Sequence, residues 1–275
     1  MENVKKINIV DKNFGHAFTS SWYNKCKYFE WFRGNEIVSD VCFFTDLCLQ
    51  DVSRVSKIKK KVAWLIEPKS INPSMYKWIE ENHHLFDYVL TYDPHLLSIS
   101  SKFMYCPHGM CWIDNFNNDP KSKMCSMFAS HKTFTDGHKL RHQIINEMRT
   151  ENIDFFGEAA NNKIDKKEEG LNSYCYSITV ENSILPGYFS EKLIDCFATK
   201  TIPIYYGDKK TVSEHFNIEG VIFFETVNDL KGIIAGCTRD NYVKRLKAIT
   251  ENYLMSDTYR VPENWIFENY KFLFE

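Results

Sequence analysis

Apolar residues recur along this chain in two rhythms, and each change of rhythm marks an element. In the first half, short runs rich in β-branched and aromatic residues predict strands over 6–11, 40–45, 61–67, 88–93 and 103–107, with a helical pattern over 74–83. A run of turn formers, Asp114-Asn115-Phe116-Asn117-Asn118-Asp119-Pro120, interrupts the pattern and predicts a linker. The alternation then restarts. Strands are predicted over 123–129, 153–156, 174–181, 201–206 and 221–225, helices over 138–150 and 191–199, and a helical tail from residue 228. The polar, charged stretch 158–170 predicts a mobile loop.

Strands alternating with helices predict parallel sheets covered on both faces. Two such halves joined by one linker predict an α/β chain of two Rossmann-like domains. Residues 1–113 form the first, 114–122 the linker and 123–254 the second, and the tail 255–275 packs back on the first. In such folds ligands bind beyond the carboxyl ends of the strands, here in a cleft between the domains, so the residues just after strands carry the interest.

Composition narrows the classes. At 275 residues the chain has room for two modest cores. Its net charge of −2 offers no field to recruit nucleic acid. The nine cysteines are odd in number and several sit in apolar runs such as Val41-Cys42-Phe43-Phe44, which predicts reduced, buried thiols. Cys106, His108 and Cys111 match no common zinc spacing. The first residues carry no signal-peptide core, no long apolar run spans a membrane and no glycosylation sequon occurs. These features together predict a cytoplasmic protein. The aromatic run 264–274 is short and weakly basic, so its membrane contact is at most peripheral.

The richest chemistry lies between Tyr174 and Gly207. A strand runs into Glu181-Asn182-Ser183, a turn holds Pro186-Gly187, Ser190 is a helix N-cap and Glu191 opens that helix. Helix N-termini offer unpaired N–H groups to an anion. Lys192 in the first turn works against the helix dipole unless an anion lies near it. Glu191 has the chemistry to grip ribose hydroxyls, and Tyr188 to stack on a base. On chemistry alone the segment is also readable as a surface loop of ordinary charges.

The run Val180-Glu181-Asn182-Ser183-Ile184-Leu185-Pro186-Gly187-Tyr188-Phe189-Ser190-Glu191-Lys192, continuing to Ile202-Pro203-Ile204-Tyr205-Tyr206-Gly207, resembles the donor signature of the α1,3/4-fucosyltransferases, glycosyltransferase family 10. Val180 stands where the family has Phe, and Tyr206 where it has Trp. The resemblance implies a GT-B fold and transfer of fucose from GDP-fucose to a glycan hydroxyl, with inversion. It implies Lys192 on the diphosphate, Glu191 on the ribose, and Asn182 and Tyr188 shaping the nucleoside pocket beside Glu181 and Ser183. It also implies an upstream phosphate-binding arginine, for which Arg141 is the match and Lys139 the rival.

Such a transfer needs a carboxylate to take the acceptor proton and cations to stabilise the leaving diphosphate. Glu67 ends the predicted strand 61–67 just before Pro68, and the family carries its proposed base in a similar segment before a Leu-Phe-Asp-Tyr run, here 85–88. Partial burial near Trp64 and Trp78 is expected to tune Glu67 as the base. No D-x-D triplet occurs, so no metal or other cofactor is expected, and cationic side chains do that work. His108, after the last strand of the first half, lines the expected cleft as a second titrating group or is a structural histidine. The partners expected are therefore a nucleotide-sugar donor and a glycan acceptor. A transferase using another nucleotide sugar and a non-catalytic sugar binder are the alternatives. The lack of a family-type anchor points to a microbial or viral form.

Overall fold

The computed structural model describes residues 4–55, 57–114 and 120–275. It divides into two compact units, Met1–Met110 with Thr258–Glu275, and Cys111–Asp257. Residues 115–119, within the expected linker, lie outside the described residues.

The first unit is a six-stranded parallel sheet in the order β2-β1-β3-β4-β5-β6. Its strands are β1 (Lys5–Val10), β2 (Phe29–Phe32), β3 (Val41–Thr45), β4 (Lys60–Trp64), β5 (Tyr88–Thr91) and β6 (Phe103–Tyr105). β3, Val-Cys-Phe-Phe-Thr, is buried at every position, as a strand covered on both faces must be. Two elements here were not anticipated. β2 is a short edge strand in which Phe29 and Trp31 are buried while Glu30 is exposed. The helix Pro94–Ile99 starts on Asp93, whose side chain accepts from Leu96 N, with proline in its first turn. The longer helix of this unit, Pro73–Asn82, is α1, and Pro94–Ile99 is α2.

The last residues close this unit. Ile266, Leu273 and Phe274 join Ile7, Ile9, Phe43, Val62 and Trp64 in one core. Glu263 is fully buried there and accepts from Ser20 N at 2.7 Å and from Trp31 Nε1 at 3.0 Å. Three donated bonds, two from Ser20 and one from Trp31, make its burial tolerable.

The second unit is a five-stranded parallel sheet in the order β11-β10-β9-β7-β8. Its strands are β7 (Lys123–Phe128), β8 (Asp154–Phe156), β9 (Tyr174–Val180), β10 (Ile202–Tyr206) and β11 (Ile222–Phe223). Its helices are α3 (Asp136–Glu147), α4 (Glu191–Ala198), α5 (Lys209–His215), α6 (Val227–Ala235) and α7 (Arg239–Ser256), and α8 (Pro262–Asn269) follows in the closing segment of the first unit. The chain runs from β7 to β8 on one side and then to β9 on the other, so the winding reverses between β7 and β9. That reversal point is where open α/β sheets leave a crevice for ligands.

The stretch 158–170, expected to be a mobile loop, is instead anchored. It forms short helical turns at Glu158–Ala160 and Lys167–Gly170, with Glu168 and Gly170 buried. Lys167 Nζ lies 2.6 Å from Asp195 Oδ2, and Asp195 is fully buried on α4. Burial opposes the charge on Lys167, and Asp195 with Glu191 overcomes that and pushes its pKa up. Asp195 Oδ1 also accepts from Trp112 N at 2.8 Å. A run of charged residues thus became a buried brace under α4, because its partner lies far off in sequence. Among the described residues no helix is long and apolar enough to cross a membrane.

Candidate functional site

The site grows from the carboxyl end of β9. Beyond Val180 the chain turns through Glu181, Asn182 and Ser183, makes a turn at Leu185-Pro186-Gly187-Tyr188, and enters α4. Tyr188 N donates to Leu185 O at 3.2 Å and Gly187 has φ +79°, the pattern of a type II turn with proline then glycine at its centre. Gly187 N donates to Thr211 Oγ1 at 2.8 Å, pinning the turn to α5.

Glu181 organises this loop from inside. It is 0% exposed and accepts from Ser190 N at 3.0 Å, Ser190 Oγ at 2.7 Å and Tyr205 OH at 2.9 Å. Ser190 in turn caps α4 through Lys192 N. Expected among the donor contacts, Glu181 is therefore an internal clamp with no surface for a ligand. Tyr188, expected to shape the nucleoside pocket, is 2% exposed and packs in the loop.

Arg141 reaches the same place from α3. It is buried, and its Nε donates to Val180 O at 3.1 Å and its Nη2 to Val180 O and to Asn182 Oδ1, the last at 2.9 Å. Its Nη1 makes no hydrogen bond among the described residues. α3 can come this close only because residue 137 is glycine: a Cβ there would overlap Glu181 O, and Gly137 N donates to Asn182 O at 3.0 Å. The N-termini of α3 and α4 thus meet at the end of β9, beside the β7/β9 reversal.

Lys192 is partly exposed. Its Nζ lies 2.9 Å from Glu191 Oε1, 3.1 Å from Ser190 Oγ and 3.6 Å from Glu181 Oε2. Carboxylates of the protein itself therefore account for a lysine placed against the helix dipole. Glu191 is nearly buried with its carboxylate on Lys192, Asn182 is half-buried, and Ser183 Oγ donates to Asn182 O at 2.8 Å. Lys139 is exposed and paired with Asp136 at 3.8 Å on the outer surface of α3, so the structure brings Arg141 to the cluster and leaves Lys139 out.

One member was missed by sequence reasoning. His138, one turn before Arg141 on the same face of α3, is buried, with Nδ1 2.5 Å from Thr135 Oγ1. Burial, then the charges of Arg141, Lys132, Lys192 and His142, push its pKa down to about 4. The i, i+3 spacing from Arg141 was the signal available.

In the first unit, Glu67 stands three residues past β4 rather than at its end. Its N–H donates to Asp46 and its C=O accepts from Tyr76 OH at 3.0 Å. Trp64 packs on Phe14 and Trp31, and Trp78 on Phe86. The acid beside Glu67 is Asp46, whose pKa is pushed up to about 7 by burial and then by the charge of Glu67. His108 is buried and meets Tyr92 edge-on at 6.0 Å. Among the described residues no cluster of His, Cys, Asp and Glu is grouped to hold a metal.

Two parallel α/β sheets of this topology have the architecture of the GT-B fold. A family model for the C-terminal part of glycosyltransferase family 10 (fucosyltransferase) matches residues 118–255. The chain belongs to that family. It is 26% identical over 149 residues to the alpha-(1,3)-fucosyltransferase FucT of Helicobacter pylori, a match covering 53% of this chain and 29% of that protein. The matched stretch thus spans less than a third of that relative's length. Among solved structures, an alpha1,3-fucosyltransferase with GDP-fucose aligns with TM-score 0.62 at 18% identity, covering 99% of this chain and 90% of that one. The same type of enzyme with GDP gives 0.57 at 16% identity, covering 94% and 92%. TarM gives 0.61 at 10% identity, covering 86% and 55%. At such identities the likeness speaks for the fold.

Proposed function

We propose that the protein transfers fucose from GDP-fucose to a hydroxyl of a glycan, with inversion and without a metal ion. The carrying observation is the meeting of Arg141, Lys192 and the N-termini of α3 and α4 at the carboxyl end of β9. Two cations and the positive ends of two helix dipoles converge where the sheet's winding reverses, which suits a diphosphate. Membership of family 10, and relatives described with GDP and GDP-fucose, support the choice of donor.

In this reading the diphosphate draws Lys192 Nζ away from Glu191 and meets Arg141 through Nη1, while Glu191 and Asn182 face the nucleoside. Glu67 takes the proton from the acceptor hydroxyl as that oxygen bonds to the anomeric carbon. The bond from the anomeric carbon to the diphosphate oxygen breaks, and GDP leaves with its new charge on Lys192 and Arg141. The sequence has no D-x-D pair to hold a divalent ion, so the two cations fill that role. His138, kept neutral near pH 7, adds no further positive charge there, so Arg141 and Lys192 carry the cationic role.

A thermal-shift panel of nucleotides and nucleotide sugars tests this. GDP and GDP-fucose should raise the melting temperature, with a stabilisation of about 2.7 kcal/mol at one hundred times Kd. A UDP-sugar that stabilises more than GDP-fucose would replace the donor assignment. A panel without any shift would remove the donor site itself, and binding without transfer would favour a sugar-binding protein.

A further inference from the structure

The carboxyl ends of three neighbouring strands in the first unit are tied together by one buried carboxylate. Asp46 follows β3, is 0% exposed and has φ +36°. This is the left-handed region, which disfavours most side chains by roughly 1 kcal/mol or more and which Asp and Asn enter most readily. Its Oδ1 accepts from Ile66 N at 3.0 Å and its Oδ2 from Glu67 N at 3.1 Å, both beyond β4. Asn13 Nδ2, beyond β1, donates to Oδ2. Two oxygens on two consecutive peptide N–H groups set the planes of both peptides, and so the direction in which Glu67 leaves the backbone. Tyr76 OH on Glu67 O and Tyr92 OH accepting from Lys69 N, at 3.0 and 3.1 Å, hold the other side of the loop.

Among the described residues no lysine or arginine pairs with Asp46. Its bonds come from two backbone N–H groups and one amide, which orient a carboxylate without neutralising it. Tyr76 of α1, Tyr92 after β5 and Cys48 in the turn that follows β3 are its other titratable neighbours.

We propose that Asp46 is a positioning residue for the reaction: it fixes the backbone that carries Glu67, and so the direction from which that carboxylate meets the acceptor. This rests on Glu67 being the base. A misplacement of about 1 Å in a reacting group lowers rate by roughly 100-fold, so the backbone clamp has kinetic consequences.

The test compares Asp46→Asn, Asp46→Ala and Glu67→Gln in the full chain, with GDP-fucose and an acceptor. Asparagine tolerates the left-handed backbone and keeps one acceptor oxygen, so Asp46→Asn should fold with a near-normal melting temperature. It should lower kcat about 10- to 100-fold with both KM values within about twofold. Asp46→Ala should lose more and melt earlier. An Asp46→Asn enzyme with wild-type kcat, beside an inactive Glu67→Gln, overturns the proposal and leaves the base in place. The proposal is equally overturned if the loss in Asp46→Asn tracks only its unfolded fraction. A Glu67→Gln enzyme that still transfers removes the base and the proposal together.

Discussion

The two sheets share a parallel, doubly wound plan, yet their carboxyl ends gather opposite chemistry. The second unit brings Arg141 and Lys192 to the end of β9 and balances them with the buried carboxylates Glu181 and Glu191. The first unit brings Asp11, Asp46 and Glu67 to the ends of β1, β3 and β4, and satisfies Asp46 with N–H groups rather than cations. A strand end is thus only a location. The side chains that the loops deliver to it decide whether it suits an anion or a proton.

That contrast can be broken one end at a time. Glu67→Gln should lower transfer by roughly 100- to 10,000-fold, the range of a general base, and leave the GDP-induced melting shift unchanged. A Glu67→Gln enzyme that has lost the shift as well would place Glu67 in donor binding. Lys192→Met should lower kcat/KM roughly 100- to 1,000-fold, as removal of a charge that meets a leaving group does, and steady-state kinetics with varied GDP-fucose reads it. A loss below tenfold would mean that Glu181 and Glu191 keep that ammonium to themselves.

Glu181→Ala should act on stability rather than chemistry. It strands Ser190 N, Ser190 Oγ and Tyr205 OH in a buried site, a loss of about 3 kcal/mol that denaturant melts would show. The smallest effect is a pH dependence. The folded pKa of His138, about 4, lies below its ordinary value of 6.5, so the unfolded chain binds the proton first. The stability held above pH 6.5 is then lost as pH falls toward 4, by about 3 kcal/mol at most. His138→Gln should flatten that slope between pH 7.5 and 4.5, and an unchanged slope would place the titration elsewhere.

Legibility in the sequence followed the distance between partners. The donor-side loop was readable because its bonds are local: Glu181 and Ser190 lie nine residues apart within one contiguous motif. The sheets were readable from apolar rhythm, apart from the short β2 and α2, which carry too few residues to show one. What residue types could not reveal was burial. Glu181 and Tyr188 look like ligand contacts in the motif and are enclosed in the structure. Asp46 left no mark, since its partners lie 20 and 33 residues away and it reads as an ordinary turn acid after a strand. Lys167 was assigned to solvent for the same reason, with Asp195 28 residues downstream.

Calorimetric titration of GDP into the wild-type protein, Glu67→Gln and Lys192→Met isolates the division of labour between the two strand ends. Glu67→Gln should bind GDP with the wild-type Kd, and Lys192→Met at least about tenfold more weakly, a loss of about 1.4 kcal/mol. Equal affinity in Lys192→Met, or a loss confined to Glu67→Gln, would mean that the nucleotide does not sit at the end of β9.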